Sequence, residues 1–122
     1  MRFDHLALPT PDPAASAAFL AAVLGGLPFR VAGPEGEFCQ VDLTDGSFLL
    51  FTAGPVTEPH HVAFHAEREA FTAVVRHLEA ARIPFGNDPE VPANGQWEDL
   101  HGTFGRVYFT DPAGHFFEVT AR

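Results

Sequence analysis

The sequence predicts an α+β fold made of two βαβββ modules. The first observation is an internal repeat. Residues 3–8 (FDHLAL) align with residues 59–64 (PHHVAF) at a spacing of 56 positions, which places His5 on His61. The second observation is that each copy continues with a helical segment and then with short strand-like runs. A turn ending in Gly46 or Gly114 precedes the last run of each copy, and the spacing there is 68 positions. The additional residues of the second copy fall in a polar stretch, 86–101, whose prolines and glycine indicate a loop.

The length allows one domain with two short modules. A chain of 122 residues is too small for two independent cores. We therefore expect a single domain over residues 1–122, with module one at about 1–53 and module two at about 59–122. The segment 54–58 joins the two modules.

Composition excludes several classes of function. The chain has 7 basic residues, all arginine, against 16 acidic ones, and a formal charge of −9. Such a charge repels phosphate backbones and anionic lipid, so neither nucleic acid nor a membrane surface is an expected partner. The one cysteine, Cys39, cannot form an intrachain disulfide and is expected to be a small buried residue. No apolar run of about 20 residues and no signal peptide is recognisable, so we expect a cytoplasmic protein.

Each module is predicted to begin with a strand followed by a helix. In the strand at 3–8, alternation places Phe3, His5 and Ala7 on one face. The first helix is expected to be capped by Asp12, followed by proline at its first position, and to end at the two glycines 25 and 26. Its predicted apolar stripe consists of Phe19, Leu20, Val23 and Leu24. The second helix is predicted over about 67–82, without a good capping residue, and its predicted apolar face consists of Phe71, Val74, Val75 and Leu78.

Three strands are predicted after each helix. In module one they cover about 28–31, 38–42 and 47–52. In module two they cover about 84–85, which is a weak signal, and then about 104–109 and 114–120. The turn Asp111–Gly114 predicts that the last two strands form an antiparallel hairpin.

Two histidines and a glutamate are candidate metal ligands. His5 and His61 occupy equivalent positions in the middle of predicted strands, and Glu118 lies in the apolar run 116–119. A buried imidazole or carboxylate needs a partner, and two imidazoles with one carboxylate suit Fe(II) and also Mn, Zn, Co or Ni. The alternative is a pair of core histidines that hydrogen-bond to the backbone. His60 competes with His61, and the repeat selects His61.

Tyr108 and Arg106 share one face of the predicted hairpin. The turn places Tyr108 roughly across from Glu118, where its hydroxyl could orient or protonate a metal-bound oxygen. Alternatively, Tyr108 packs in the sheet with its hydroxyl reaching water. Arg106 either holds an anionic group of a substrate or pairs with one of the many acidic residues.

The run 107–118 (VYFTDPAGHFFE) and the duplicated module with a histidine in its first strand resemble the vicinal oxygen chelate superfamily. This group includes glyoxalases, bleomycin-resistance proteins and extradiol dioxygenases. The resemblance implies that the strands form an open barrel around a divalent metal and a substrate cavity, with the helices outside. Carried onto this chain, the family's ligand positions are His5, Leu50, His61 and Glu118.

Leucine cannot bind a metal, so Leu50 leaves three protein ligands. Glyoxalase I relies on a carboxylate at that position, and this activity is therefore disfavoured. Fosfomycin transfer is also disfavoured, because Trp97, Glu98 and Asp99 stand where those enzymes carry groups that hold a phosphonate. The aromatic residues Phe48 and Phe116 are candidates for contact with an apolar or aromatic substrate.

The long loop of module two could form a lid or a wall of the site. Its Trp97 and His101 are further candidates for substrate binding. His115, beside a turn, is expected to be solvated.

Two functional classes stay open. One is a metal-dependent enzyme, dioxygenase- or lyase-like, that chelates oxygens of a small organic substrate. The other is a non-catalytic small-molecule or antibiotic-binding protein of the bleomycin-resistance type. A homodimer is expected, because the edges and inner faces of the sheets in so short a chain need a partner. The resemblance also implies it, since many short members of this family share their sites between chains. His5 would then come from one chain, and His61 and Glu118 from the other. The alternative is that both modules of one chain close the site, but the stiff connection 54–58, which contains Pro55, favours the shared site.

Overall fold

A computed structural model describes all residues, 1–122, and contains seven strands and two helices. The first module comprises β1 (His5–Thr10), α1 (Pro13–Val23), β2 (Phe29–Ala32), β3 (Phe38–Asp42) and β4 (Phe48–Ala53). The second comprises β5 (His61–His65), α2 (Arg68–Ala80), β6 (Gly105–Thr110) and β7 (Phe116–Ala121).

The strands form two separate sheets, which confirms the predicted α+β class. One sheet has the order β1-β4-β3-β2, and the other has the order β5-β7-β6. β1 pairs with β4, and β5 with β7, in parallel, whereas the remaining pairs are antiparallel. One chain therefore does not close its strands into a single hydrogen-bonded barrel.

The strand registers confirm the internal repeat. His5 pairs with Phe48 in the first sheet, as His61 pairs with Phe116 in the second. Two residues further on, Leu50 occupies in the first sheet the position that Glu118 occupies in the second. The two positions are thus related by the architecture as well as by the sequence.

The weak strand predicted at 84–85 does not form. A single bridge between Gly86 and Tyr108 takes its place, and Phe85 packs into the core instead. Pro84 has no N–H to contribute to a ladder, and Gly95 donates a hydrogen bond to the Phe85 carbonyl at 2.8 Å. The second module consequently has three strands where the first has four.

Both helices form where they were predicted. The Asp12 carboxylate accepts a hydrogen bond from the Ala15 N–H at 3.1 Å, and α1 ends just before Gly25 and Gly26, whose φ angles are +100° and +79°. The buried residues of α1 are Ser16, Ala17, Leu20, Ala21 and Val23, a broader set than the predicted stripe. The reason is that α1 contacts both its own sheet and α2. α2 buries the four predicted residues and has no side-chain cap.

A single hydrophobic core joins the two modules. Its largest members include Phe51 from the first module and Phe71, Phe109 and Phe117 from the second. Cys39 is buried, as predicted. No helix has the length and apolar character required to span a bilayer.

His115 is fully buried, and the prediction that it is solvated was wrong. Its Nε2 lies 2.7 Å from the Pro9 carbonyl in β1, and its Nδ1 accepts a hydrogen bond from the His60 N–H at 3.0 Å. A side chain after a turn can fold back onto a neighbouring strand, and this contact is invisible in the local sequence. His115 therefore ties the two modules together.

Candidate metal centre

His61 and Glu118 meet on one face of the second sheet. β5 and β7 run in parallel, and the alternation of strands places both side chains on the same side. His61 Nε2 lies 2.9 Å from Glu118 Oε1. The His61 side chain is 56% exposed and that of Glu118 is 8% exposed. The imidazole is therefore the part of the pair that solvent reaches.

The geometry of this pair fits a divalent ion. Two neighbouring ligands of an octahedral ion, each bound at ~2.1 Å, would lie ~3 Å apart. The measured separation of 2.9 Å agrees with that spacing and also with a direct hydrogen bond. An imidazole and a carboxylate are donors that suit Fe, Mn, Zn, Co and Ni.

Tyr108 lies directly across from Glu118 in the β6–β7 ladder, as the hairpin predicted. The residue is only 6% exposed, and its ring centroid is 6.3 Å from that of His61. Burial raises the pKa of Tyr108 above its ordinary value, and the negative charge of Glu118 raises it further. The hydroxyl is consequently protonated at neutral pH and can donate a hydrogen bond.

Arg106 lies between two carboxylates. Its Nε donates to Asp99 Oδ1 at 3.0 Å, and its Nη1 donates to Glu118 Oε2. Although burial opposes the charge of Arg106, the contacts with Asp99, Tyr108 and Glu118 hold its pKa above the ordinary value. The guanidinium is therefore engaged with acidic residues, which was one of the two expected roles. Substrate binding by Arg106 stays a prediction.

The first module places His5 away from this pair. His5 lies in β1 of the other sheet, stacks on Phe48 at 4.8 Å between ring centroids, and has its Nδ1 2.7 Å from Asp4 Oδ2. Its side chain is 46% exposed. No group of three potential metal-ligating residues converges within one chain, so a single chain brings together two of the three candidates.

The candidate substrate-binding aromatics occupy different environments. Phe48 and Phe116 are half-buried, and each lies against one of the candidate histidines. Trp97 packs against Phe71 and Phe104, and so contributes to the support of its loop. His101 is exposed. Contact of these residues with a substrate stays a prediction.

Asp99 is the residue of the site that sequence reasoning missed. The sequence indicated for Asp99 only that it stands where fosfomycin-transferring enzymes carry a group that holds a phosphonate. Its partnership with Arg106 joins an irregular loop to a strand, and no periodicity predicts such a contact. The excess of acidic residues over arginines indicated only that an arginine would pair with some carboxylate.

The model of the Glyoxalase/Bleomycin resistance protein/Dioxygenase superfamily matches residues 2–119. The chain belongs to this superfamily. The match spans both modules and includes all three candidate ligands.

Several solved structures are similar to this protein over nearly the whole chain. Oxidase ChaP-H2 is 29% identical with a TM-score of 0.87, and the match covers 100% of this chain and 94% of that one. Oxidase ChaP-H1 is 28% identical with a TM-score of 0.88, covering 100% and 96%. The fosfomycin resistance protein FosX from Listeria monocytogenes, solved as a mutant with Mn(II), is 18% identical with a TM-score of 0.70, covering 97% and 87%. At that identity FosX supports the fold alone. A search of curated proteins gives no match.

Proposed function

We propose that this protein is a divalent-metal-dependent enzyme that acts on a small oxygenated organic substrate. The observation that carries the proposal is the His61–Glu118 pair, with the protonated hydroxyl of Tyr108 on the strand opposite Glu118. The likeness to two oxidases at 28–29% identity favours oxidase or dioxygenase chemistry over a lyase reaction. Leu50 in place of a carboxylate disfavours glyoxalase I chemistry, and fosfomycin transfer also stays disfavoured.

His61 Nε2 and Glu118 Oε1 are the atoms that would hold the ion. A bound divalent metal acts as a Lewis acid toward the oxygens of a chelated substrate. Tyr108 would donate its proton, or a hydrogen bond, to a substrate oxygen beside Glu118. The ring of Phe116 packs edge-on against that of His61, with 5.3 Å between the ring centroids. Phe116 would exclude water from one side of the substrate.

We further propose that His5 of a second copy completes the site. Three features support a homodimer. His5 and His61 are both substantially exposed, β1 and β5 are both edge strands, and one chain brings together only two of the three candidate ligands. An unpaired strand edge is stabilised by pairing with another chain. A two-fold dimer would then contain two equivalent sites.

The experiment is a calorimetric titration with Mn(II) of the metal-free protein. We expect the wild type to bind one ion per chain, and His61→Ala and Glu118→Gln each to weaken binding at least about tenfold. His65→Ala is the matched control, because His65 lies on the same strand face but hydrogen-bonds to Thr120 at 3.2 Å. Equal Mn(II) binding by all four proteins, or no binding by the wild type, would contradict the proposal.

The second measurement concerns turnover. The metal-loaded protein is screened against catechols, thiols with electrophiles, and 2-oxo compounds. We expect turnover of a substrate with two adjacent oxygens. Tight binding of a small molecule by the metal-free protein, with no turnover, would instead support the ligand-binding class.

A further inference from the structure

We propose that Asp99 and Arg106 form a positioning pair that keeps one oxygen of Glu118 available for the metal. The long loop of module two would thereby control metal affinity without contacting the ion. This inference rests on the proposed metal site, and its test separates the two claims. The sequence pattern did not predict a role in metal affinity for Asp99 or for its loop.

The Asp99 carboxylate is fixed by hydrogen bonds on both oxygens. Its side chain is 0% exposed, Oδ2 accepts bonds from the N–H and the hydroxyl of Thr103, and Oδ1 accepts from Arg106 Nε. Although burial opposes ionisation, the bonds from Thr103 and Arg106 hold the pKa of Asp99 well below its usual range. Asp99 is therefore a permanent negative charge at neutral pH.

The loop around Asp99 is docked onto the second module. The Arg106 N–H donates to the Trp97 carbonyl at 2.9 Å, and Asn87 Nδ2 donates to the Glu98 carbonyl at 2.6 Å. The indole of Trp97 packs on Phe104 at 5.5 Å between centroids. These contacts fix the position of Asp99 relative to strand β6.

The charges explain why this arrangement matters for Glu118. Arg106 carries one positive charge between two carboxylates, so the trio retains a net negative charge. The planar guanidinium uses Nε for Asp99 and Nη1 for Glu118 Oε2, which leaves Oε1 facing His61. Without Asp99, the full charge of Arg106 would compensate Glu118 and compete with a cation for its oxygens.

The test uses Mn(II) affinity and a double-mutant cycle. We expect Asp99→Asn to weaken Mn(II) binding ~10–100-fold, the range typical of residues that support metal ligands. We expect D99N/R106Q to bind Mn(II) more tightly than D99N, because the uncompensated guanidinium has been removed. If Asp99 serves only loop stability, Arg106→Gln should change Mn(II) affinity by the same factor in the wild type as in D99N, whereas the positioning pair predicts a larger gain in D99N.

The control is Asp45→Asn. Asp45 accepts hydrogen bonds from the N–H and hydroxyl of Ser47 in a turn of the first module, far from the pair in sequence and without contact to it. D45N should bind Mn(II) as the wild type does. If D99N does not fold, Arg106→Lys provides the same test, since one ammonium cannot reproduce the two-armed contact, and weaker binding is expected.

The outcomes are separable. Wild-type binding of Mn(II) with unchanged affinity in D99N, or in R106K where D99N does not fold, overturns the positioning pair and leaves the metal site standing. A D99N/R106Q protein that binds no better than D99N also overturns it. A wild type that takes up no Mn(II) overturns both proposals.

Discussion

Tyr108 is the sole tyrosine of the chain, so its ionisation can be observed without interference. Burial and the charge of Glu118 raise its pKa, and we therefore expect its phenolate absorbance to develop above the ordinary midpoint of ~10. Because the folded-state pKa is raised, Tyr108 stabilises the fold below the unfolded pKa. That contribution is lost as pH rises through the folded value. The same titration in denaturant should return to ~10, and a folded midpoint at or below ~10 would contradict the assignment.

The role of the Tyr108 hydroxyl in turnover is tested by Tyr108→Phe. If the hydroxyl donates a proton or a hydrogen bond to the substrate, turnover should fall by ~10²–10⁴-fold. Mn(II) affinity should be unchanged, because the ring and its packing against Phe116 are kept. Unchanged turnover of an identified substrate by Tyr108→Phe would show that Tyr108 contributes only through the packing of its ring.

At the residue scale, the sequence predicted those side-chain positions that follow from the internal repeat and from the β6–β7 hairpin. Strand alternation and turn position are local, and they placed His61, Glu118 and Tyr108 correctly relative to the sheet. The Asp99–Arg106 contact and the burial of His115 were not predictable. Both depend on where an irregular segment folds back, which is decided by packing and not by periodicity.

At the scale of elements, the start of β6 is fitted closely to α2. A Cβ on Gly105 would overlap the ring of Phe71, which is 1% exposed and held by Phe104 and Trp97. Gly105→Ala should therefore reduce the free energy of unfolding by ~1–3 kcal/mol, measured by urea denaturation. Gly54→Ala is the control, because its Cβ would meet only Pro9 at 3.9 Å. Equal stability of the two variants would show that Phe71 has room to move.

The His115 contact joins β1 to the start of β5. His115→Leu removes the partners of the Pro9 carbonyl and the His60 N–H. We expect a loss of ~1–3 kcal/mol in the free energy of unfolding, the cost of leaving buried polar groups unpaired. His77→Leu, on the half-buried side of α2, should change stability by only ~0.5 kcal/mol. A His115 variant as stable as this control would show that the modules are joined by the apolar core alone.

The elements themselves followed from the sequence to within a few residues. Asp12 and Pro13 predicted the start of α1, and Gly25 its end, because caps act through local hydrogen bonds and φ angles. The strand predicted at 84–85 does not form, because strand pairing needs a free backbone N–H and a neighbouring strand in register. Pro84 and the close loop contacts of Phe85 remove both conditions.

At the scale of the whole molecule, one chain has two sheets joined through one core, and each sheet carries part of the candidate ligand set. The repeat predicted the two modules, and the stiff connection that contains Pro55 favoured modules that do not close a site within one chain. We therefore expect light scattering at micromolar concentration to give the mass of a dimer. A monomeric mass would contradict the shared site.

The most direct test of the central claim is complementation of metal binding between two inactive chains. His5→Ala and Glu118→Ala chains are prepared separately, and each should bind Mn(II) weakly. After subunit exchange, confirmed with differently tagged chains, a mixed dimer contains one site with His5 from one chain and His61 and Glu118 from the other. We predict that mixed dimers regain one tight Mn(II) ion per dimer. No recovery of Mn(II) binding after confirmed exchange would contradict a metal site shared between two copies.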